Sequence, residues 1–274
     1  MRPERANIAA PELPGRIRWA NARRAPRMAE LVAAGPVLVH FFDYAQLNSV
    51  RSLPYPVAWD QRYREAGLTT LGVHSPRFSF TAERAALAPA LASLGVSHPV
   101  ADDSGYAIWH DYGCKGWPSL FLWGQGGALR WFHFGEGEYA ATEAAIAAEL
   151  SAIESSFQAP PPLAPIRPTD ATGALVAPPS EELFPGGSAS QPWRAGDGDA
   201  VLELSYEAGG AYAAVDGAGT LRVTVDDGEQ QLVEITEPGL YELSAHPNHQ
   251  RHRLRLEADP ALELYSVGFA PGLP

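Results

Sequence analysis

The sequence predicts an α/β domain with a mixed central sheet and flanking helices, followed by an all-β sandwich. Three observations carry this. Strands and helices alternate up to about residue 157. A stretch with seven prolines follows within residues 159–179. Beyond it, short segments of alternating apolar and polar residues recur with no helical period. Charge divides the chain at the same place. Residues 1–157 hold 14 Lys+Arg against 15 Asp+Glu, while residues 158–274 hold 6 against 17. The expected organisation is a first domain over 1–157, a stiff Pro-rich linker over 158–177 and a sandwich over 178–274.

Within the first domain, residues 1–30 read as irregular, with a turn at Pro11–Gly15. Pro36–Phe42 is a nearly continuous apolar run, as expected for a strand covered on both faces. Helical spacing runs from Gln46 to about Glu65, interrupted by Pro54 and Pro56 and ended by Gly67. Leu68–His74 reads as a second buried strand and Phe80–Leu94 as a helix. His98–Ala101 is a short strand and Gly105–Tyr112 a short helix. Ser119–Gly124 and Ala128–Phe134 are strands joined by a Gly-rich turn, and Glu138–Phe157 is a helix. The alternation implies parallel pairing, with a mixed end to the sheet. After the linker, seven strands are expected: 201–206, 211–215, 221–225, 231–235, 239–245, 251–258 and 262–269. Asp226–Gly228 forms a hairpin turn among them.

A net charge of −12 argues against a nucleic-acid partner, since binding phosphates needs a basic face. One cysteine, Cys114, excludes an internal disulfide and a multi-thiolate zinc site. No signal-peptide pattern and no membrane-length apolar run are visible, so the expectation is a soluble, cytoplasmic chain.

The stretch Val37–Pro54, VLVHFFDYAQLNSVRSLP, reads as a buried strand running into a helix N-terminus. Together with AWDQRYREAGL at 58–68, LGVHSP at 71–76, WP at 117–118 and FGEGEYAATEA at 134–144, it resembles a thioredoxin-like domain of the redoxin/TlpA, AhpC/TSA-like type. TEPGLYEL at 236–243 and LELYSVGF at 262–269 extend the resemblance to the extracytoplasmic region of DipZ-type proteins. There such a domain precedes a carbohydrate-binding-module-like jelly roll. The resemblance implies a thioredoxin-like fold with a redox dithiol at the strand–helix junction. This chain keeps Phe42, Tyr44, Arg51, Leu53 and Pro54, but Gln46 and Ser49 stand at the cysteine positions. Dithiol chemistry depends on a thiolate at a helix N-terminus, and neither residue supplies one. Both are expected to cap the helix or face solvent. The resemblance also makes Trp117–Pro118 a cis-proline loop that lays an extended segment beside the dithiol.

Other residues are candidates for chemistry. Cys114, next to Lys115, is a candidate peroxidatic or sensing thiol. His110, four residues earlier, could share a helix face with it. His246, His249 and His252 have a spacing that could hold a transition metal, but Pro247 and the strand pattern from Arg251 favour a surface loop. No metal and no cofactor are assigned. His40 and His74 read as core histidines, while Asp43 and Glu136 are placed at ligand-side positions without a role. In the sandwich, Trp193, Tyr206 and Tyr241 are the candidate sugar platforms, among aromatics that also include Tyr212 and Tyr265. Asp197, Asp199, Asp226 and Asp227 are their polar partners.

Three functions follow. The first is a non-redox binding protein that holds a peptide or protein partner in a groove of Tyr44, Gln46, Ser49, Trp117 and Pro118. The second is a thiol oxidoreductase or peroxidase using Cys114. The third is a carbohydrate-binding protein with a glycan ligand.

Overall fold

A computed structural model describes residues 1–3, 7–196 and 201–274. The chain divides into two compact units. The first comprises Met1–Tyr44, Asn48–Pro76 and Leu87–Ala164, and the second Ala45–Leu47, Arg77–Ala86 and Pro165–Pro274.

The first unit is built on a six-stranded sheet. Its elements begin with β1 (Arg18–Ala20), α1 (Met28–Ala34), β2 (Val37–Phe42), α2 (Leu47–Ser52), α3 (Pro54–Tyr63) and β3 (Thr69–His74). They continue with α4 (Leu87–Ser93), β4 (Val100–Asp102), α5 (Ala107–Asp111), β5 (Ser119–Trp123), β6 (Leu129–Phe134) and α6 (Tyr139–Ile153). The strand order is β1-β4-β3-β2-β5-β6. β2, β3 and β4 run parallel, while β1, β5 and β6 are antiparallel to their neighbours.

Every residue of β2 is buried, because the sheet is covered on both faces. Val37, Val39 and Phe41 pack with Leu71, Val73 and Phe121 on one face. Leu38 packs with Trp59, Leu120, Leu122 and Ile146 on the other. The two-residue period of a strand thus divides its apolar side chains between two cores. Pro54 breaks the expected long helix and opens α3, where its missing N–H breaks no helical bond.

Residues 7–30 are more ordered than expected, holding β1 and the start of α1. The reason is non-local. Arg27, the residue before α1, makes no side-chain cap. The Glu12 carboxylate takes that place, accepting the Met28 N–H at 2.7 Å and the Ala29 N–H at 3.2 Å. Burial works against the charge on Glu12, but these backbone bonds prevail and hold its pKa below the usual carboxylate value. α1 ends where Gly35 meets Gly67; a Cβ at Gly35 would lie 2.6 Å from the Gly67 carbonyl oxygen.

The second unit contains β7 (Val201–Asp216), β8 (Gly219–Val225), β9 (Gln231–Ile235), β10 (Gly239–Ala258) and β11 (Glu263–Ala270). They form an antiparallel sheet in the order β11-β7-β10-β8-β9. Its core includes Tyr206, Ala213, Val215, Leu221, Leu256 and Val267. The seven expected strands are five. Segments 201–206 and 211–215 are one strand, as are 239–245 and 251–258. The polar and glycine-containing breaks between them are absorbed as register shifts rather than turns, one of them between Ala245 and Gln250. Within this unit Arg77 pairs with Glu182 at 2.6 Å, and Ser79 Oγ lies 2.9 Å from Tyr265 Oη. Asp197 and Asp199 lie outside the described residues.

The C-terminal end of the first unit is fastened by one buried carboxylate. Glu143 in α6 accepts the Tyr63 hydroxyl at 2.7 Å and the Leu163 N–H at 2.8 Å, with Arg62 Nε at 3.5 Å. Burial and this bond raise the Tyr63 pKa to about 12. Glu143→Gln replaces one acceptor oxygen with a donor and leaves one partner unbonded. The expected loss is about 1–3 kcal/mol of stability with faster amide exchange at Leu163. Urea unfolding and exchange measurements check this, and an unchanged Leu163 rate would count against it.

Candidate functional site

The candidate site forms where β2 runs into α2 and faces the turn before β5. The Trp117–Pro118 bond is cis. Trp117 is half-buried, and its indole N–H donates to the Ser75 carbonyl at 2.8 Å. Gln46 and Ser49 do not face solvent: they are 6% and 0% exposed. Ser49 Oγ instead accepts the Asp43 backbone N–H at 3.2 Å. Tyr44 is also buried and stacks on His74, with ring centroids 5.2 Å apart. Of the expected groove residues, Trp117 is the one whose side chain keeps substantial exposure; Pro118 is buried.

Glu136, which had no expected partner, has one in the fold. Glu136 meets Arg51 Nε at 2.8 Å, in a pair 18% and 9% exposed. Its backbone carbonyl lies 3.0 Å from a ring nitrogen of His133. The preceding Gly135 N–H donates to the Pro118 carbonyl at 2.8 Å. The sequence signal for this network was present in Arg51 and in the Gly-Glu-Gly turn, but pairing them requires the fold. Behind Pro118 lies a cavity of about 20 Å³ lined by His40, Ser52, Trp59, His133 and Tyr139. It has room for about one water molecule.

Cys114 does not reach a reactive setting. It is 6% exposed, and burial pushes its thiol up to about 12. A hydrogen bond with Ser119 offsets this in part, while the nearby Asp103 charge adds to it. Lys115, expected to favour the thiolate, is exposed. His110 is exposed and lies in α5, which ends at Asp111 before Cys114 begins. The two share no helix face. Asp103 is itself structural: it accepts the Ile108 N–H at 3.0 Å and the Trp109 N–H at 2.9 Å at the start of α5.

His40 and His74 are core residues, as expected, and His98 joins them. Burial lowers His40 to about 3, with His98 adding to it, and lowers His74. Burial likewise lowers His98 to about 4. No cluster of three or more His, Cys, Asp or Glu residues among those described could hold a metal ion. In the second unit, Tyr206 is 2% exposed and so presents no sugar platform. Trp193 and Tyr241 are half-buried against the sheet core.

The fold and site define a thioredoxin-like α/β domain whose dithiol positions hold Gln46 and Ser49, joined to an all-β domain. Several known proteins are similar to the chain. A family described as "Thioredoxin like C-terminal domain" matches residues 188–270. The chain is similar to the protein DipZ of Mycobacterium bovis, 30% identical over 266 residues, covering 84% of this chain and 38% of DipZ. It is 28% identical over 142 residues to SUPPRESSOR OF QUENCHING 1, chloroplastic, of Arabidopsis thaliana, covering 52% of this chain and 13% of that protein. A solved thiol-disulfide isomerase from Corynebacterium glutamicum aligns at 22% identity with a TM-score of 0.46, covering 52% of this chain and 97% of that one. The chain thus spans under two-fifths of the length of DipZ. No helix among the described residues is long and apolar enough to cross a membrane.

The thiol environment gives a direct expectation. Cys114 should alkylate slowly at pH 8 in the folded protein and at the rate of a free thiol in urea, because the thiolate is the nucleophile. Mass spectrometry after iodoacetamide treatment measures this. Rapid labelling of the native protein would overturn the assignment of Cys114 as inert.

Proposed function

We propose that this chain is a binding protein on a thioredoxin-like scaffold that works without thiol–disulfide exchange. The observation that carries this reading is the lack of a competent thiol pair. Gln46 and Ser49 stand at the dithiol positions, and Cys114 is buried with its thiol raised to about 12. Dithiol exchange needs an attacking thiolate and a second thiol to release the mixed disulfide, and this chain has one cysteine. The same burial weighs against a peroxidase using Cys114. The partner is an extended peptide or protein segment, and the residue that supports its recognition is Trp117. A half-exposed indole fixed by its bond to Ser75 presents a rigid apolar surface beside cis-Pro118.

For the second unit we infer a carbohydrate-binding-module-like jelly roll as the alternative source of function. Half-buried Trp193 and Tyr241 support a glycan ligand, since aromatic faces cover the apolar faces of sugars. Tyr206 is withdrawn from that role by its burial.

The test pairs a redox assay with a binding assay. Insulin-disulfide reduction by the wild type should equal that of Cys114→Ser. NMR titration with a reduced, carboxymethylated unfolded polypeptide should shift the Trp117 indole signal, and Trp117→Ala should abolish binding. Turnover lost in Cys114→Ser would restore the enzyme reading. An unmoved Trp117 signal, with retention on immobilised polysaccharide that is lost in Trp193→Ala, would transfer the function to the second unit.

A further inference from the structure

The register shift in β10 gathers a polar cluster that the proposed function does not use. It brings His246 onto His252, with ring centroids 3.6 Å apart and planes 13° from parallel. From β7, Tyr206 Oη lies 2.8 Å from His246 Nε2 and 2.8 Å from Ser244 Oγ. The Tyr206 ring stacks on Phe269 of β11 at 4.9 Å. From the turn after β8, Asp226 Oδ2 lies 2.5 Å from His252 Nδ1, and Asp226 Oδ1 accepts the Arg253 N–H at 2.7 Å. Asp226 and Asp227 both have left-handed backbone, with φ of 52° and 60°, so the turn is shaped to present this carboxylate.

The remaining charges around the pair are engaged with each other. The Arg253 guanidinium pairs with Asp227. His249 Nε2 lies 3.8 Å from Glu207. Among the described residues, one carboxylate, Asp226, thus faces two stacked imidazoles. His252 Nε2 is buried with no hydrogen-bond partner.

We propose that this stacked pair holds one proton but not two, and so acts as an acid-sensitive catch on the 244–252 corner of β10. The Asp226 carboxylate lies against the His252 ring and compensates one positive charge of the pair. A second, on His246, places two cations face to face with no further carboxylate. Burial first, then His252, holds His246 below the ordinary imidazole range, with Asp226 opposing. The sign follows from linkage. A histidine whose folded pKa is lowered binds fewer protons folded than unfolded. Its contribution to stability is complete above the unfolded value of about 6.5 and falls as the pH drops below it. Asp226 and Arg253 also line a groove of about 360 Å³ with Glu203, Thr224, Asp227 and Arg255. Releasing the catch therefore alters the wall of that groove.

NMR titration of the ring signals and amide exchange, both on the full chain, test this. The His246 ring signal should titrate below the ordinary imidazole range. After correction for intrinsic rates, amides within 244–252 should exchange several-fold faster at pH 5 than at pH 7, as the contribution of the lowered histidine is lost. β2 amides serve as the internal reference, because the buried histidines of the first unit carry their own acid dependence. His246→Phe keeps the stack and should remove the response. Should that variant fail to fold, Asp226→Asn should enlarge the response by leaving both protons uncompensated. A His246 signal that titrates in the ordinary imidazole range, or an unchanged acid response in either variant, would overturn the proposal.

Discussion

The ion pair between Arg51 and Glu136 ties together the parts of the thioredoxin-like unit that would form its redox face. Arg51 lies in the last turn of α2, and Glu136 lies in the turn between β6 and α6. The residue before Glu136 bonds the carbonyl of cis-Pro118. One buried contact thus joins the helix after β2, the proline ahead of β5 and the turn after β6. Removing either partner of this part-buried pair takes a charge-assisted hydrogen bond from the other, a loss of about 1.5–3 kcal/mol. None of this depends on a cysteine. The face therefore stands as structure without a thiol pair.

The residues that replace the dithiol have been taken into the interior. A redox cysteine must be exposed enough to attack and polar enough in its surroundings to ionise. Ser49 satisfies neither demand: it is fully buried, and its hydroxyl is used by the Asp43 N–H. A buried hydroxyl with a bonding partner is neutral to stability or better, whereas an unpaired one is costly. The substitution is thus consistent with a change from reactivity to packing. Cys114 follows the same logic in a different place, since burial that protects a thiol also prevents its ionisation.

Much of this architecture was legible in the chain because it rests on local periodicity. The apolar runs at β2, β3 and β5 marked a sheet covered on both faces, and Pro54 marked the boundary between two helices. What escaped was set by distant partners. α1 lacks a local cap because Glu12 supplies it from 16 residues away in sequence. Tyr44 read as a groove residue because nothing local reveals that His74, on the neighbouring strand, stacks on it. Glu136 had no role until the fold delivered Arg51. In the second unit the seven strand-like segments were real, but two gaps were bulges within long strands. A bulge and a turn use the same polar and glycine residues, so composition could not separate them.

The same limit governed the histidine motif. Its spacing of three pointed to a shared ligand, as it would on a tight loop. The register shift between Ala245 and Gln250 instead stacks two of the rings and turns the third toward Glu207. Parallel rings at 3.6 Å aim their nitrogens along the same directions rather than at a common point. That geometry suits proton competition rather than coordination. It arises from the strand's irregularity, not from the identity of the residues, and so the chemistry of this corner is decided one level above the sequence.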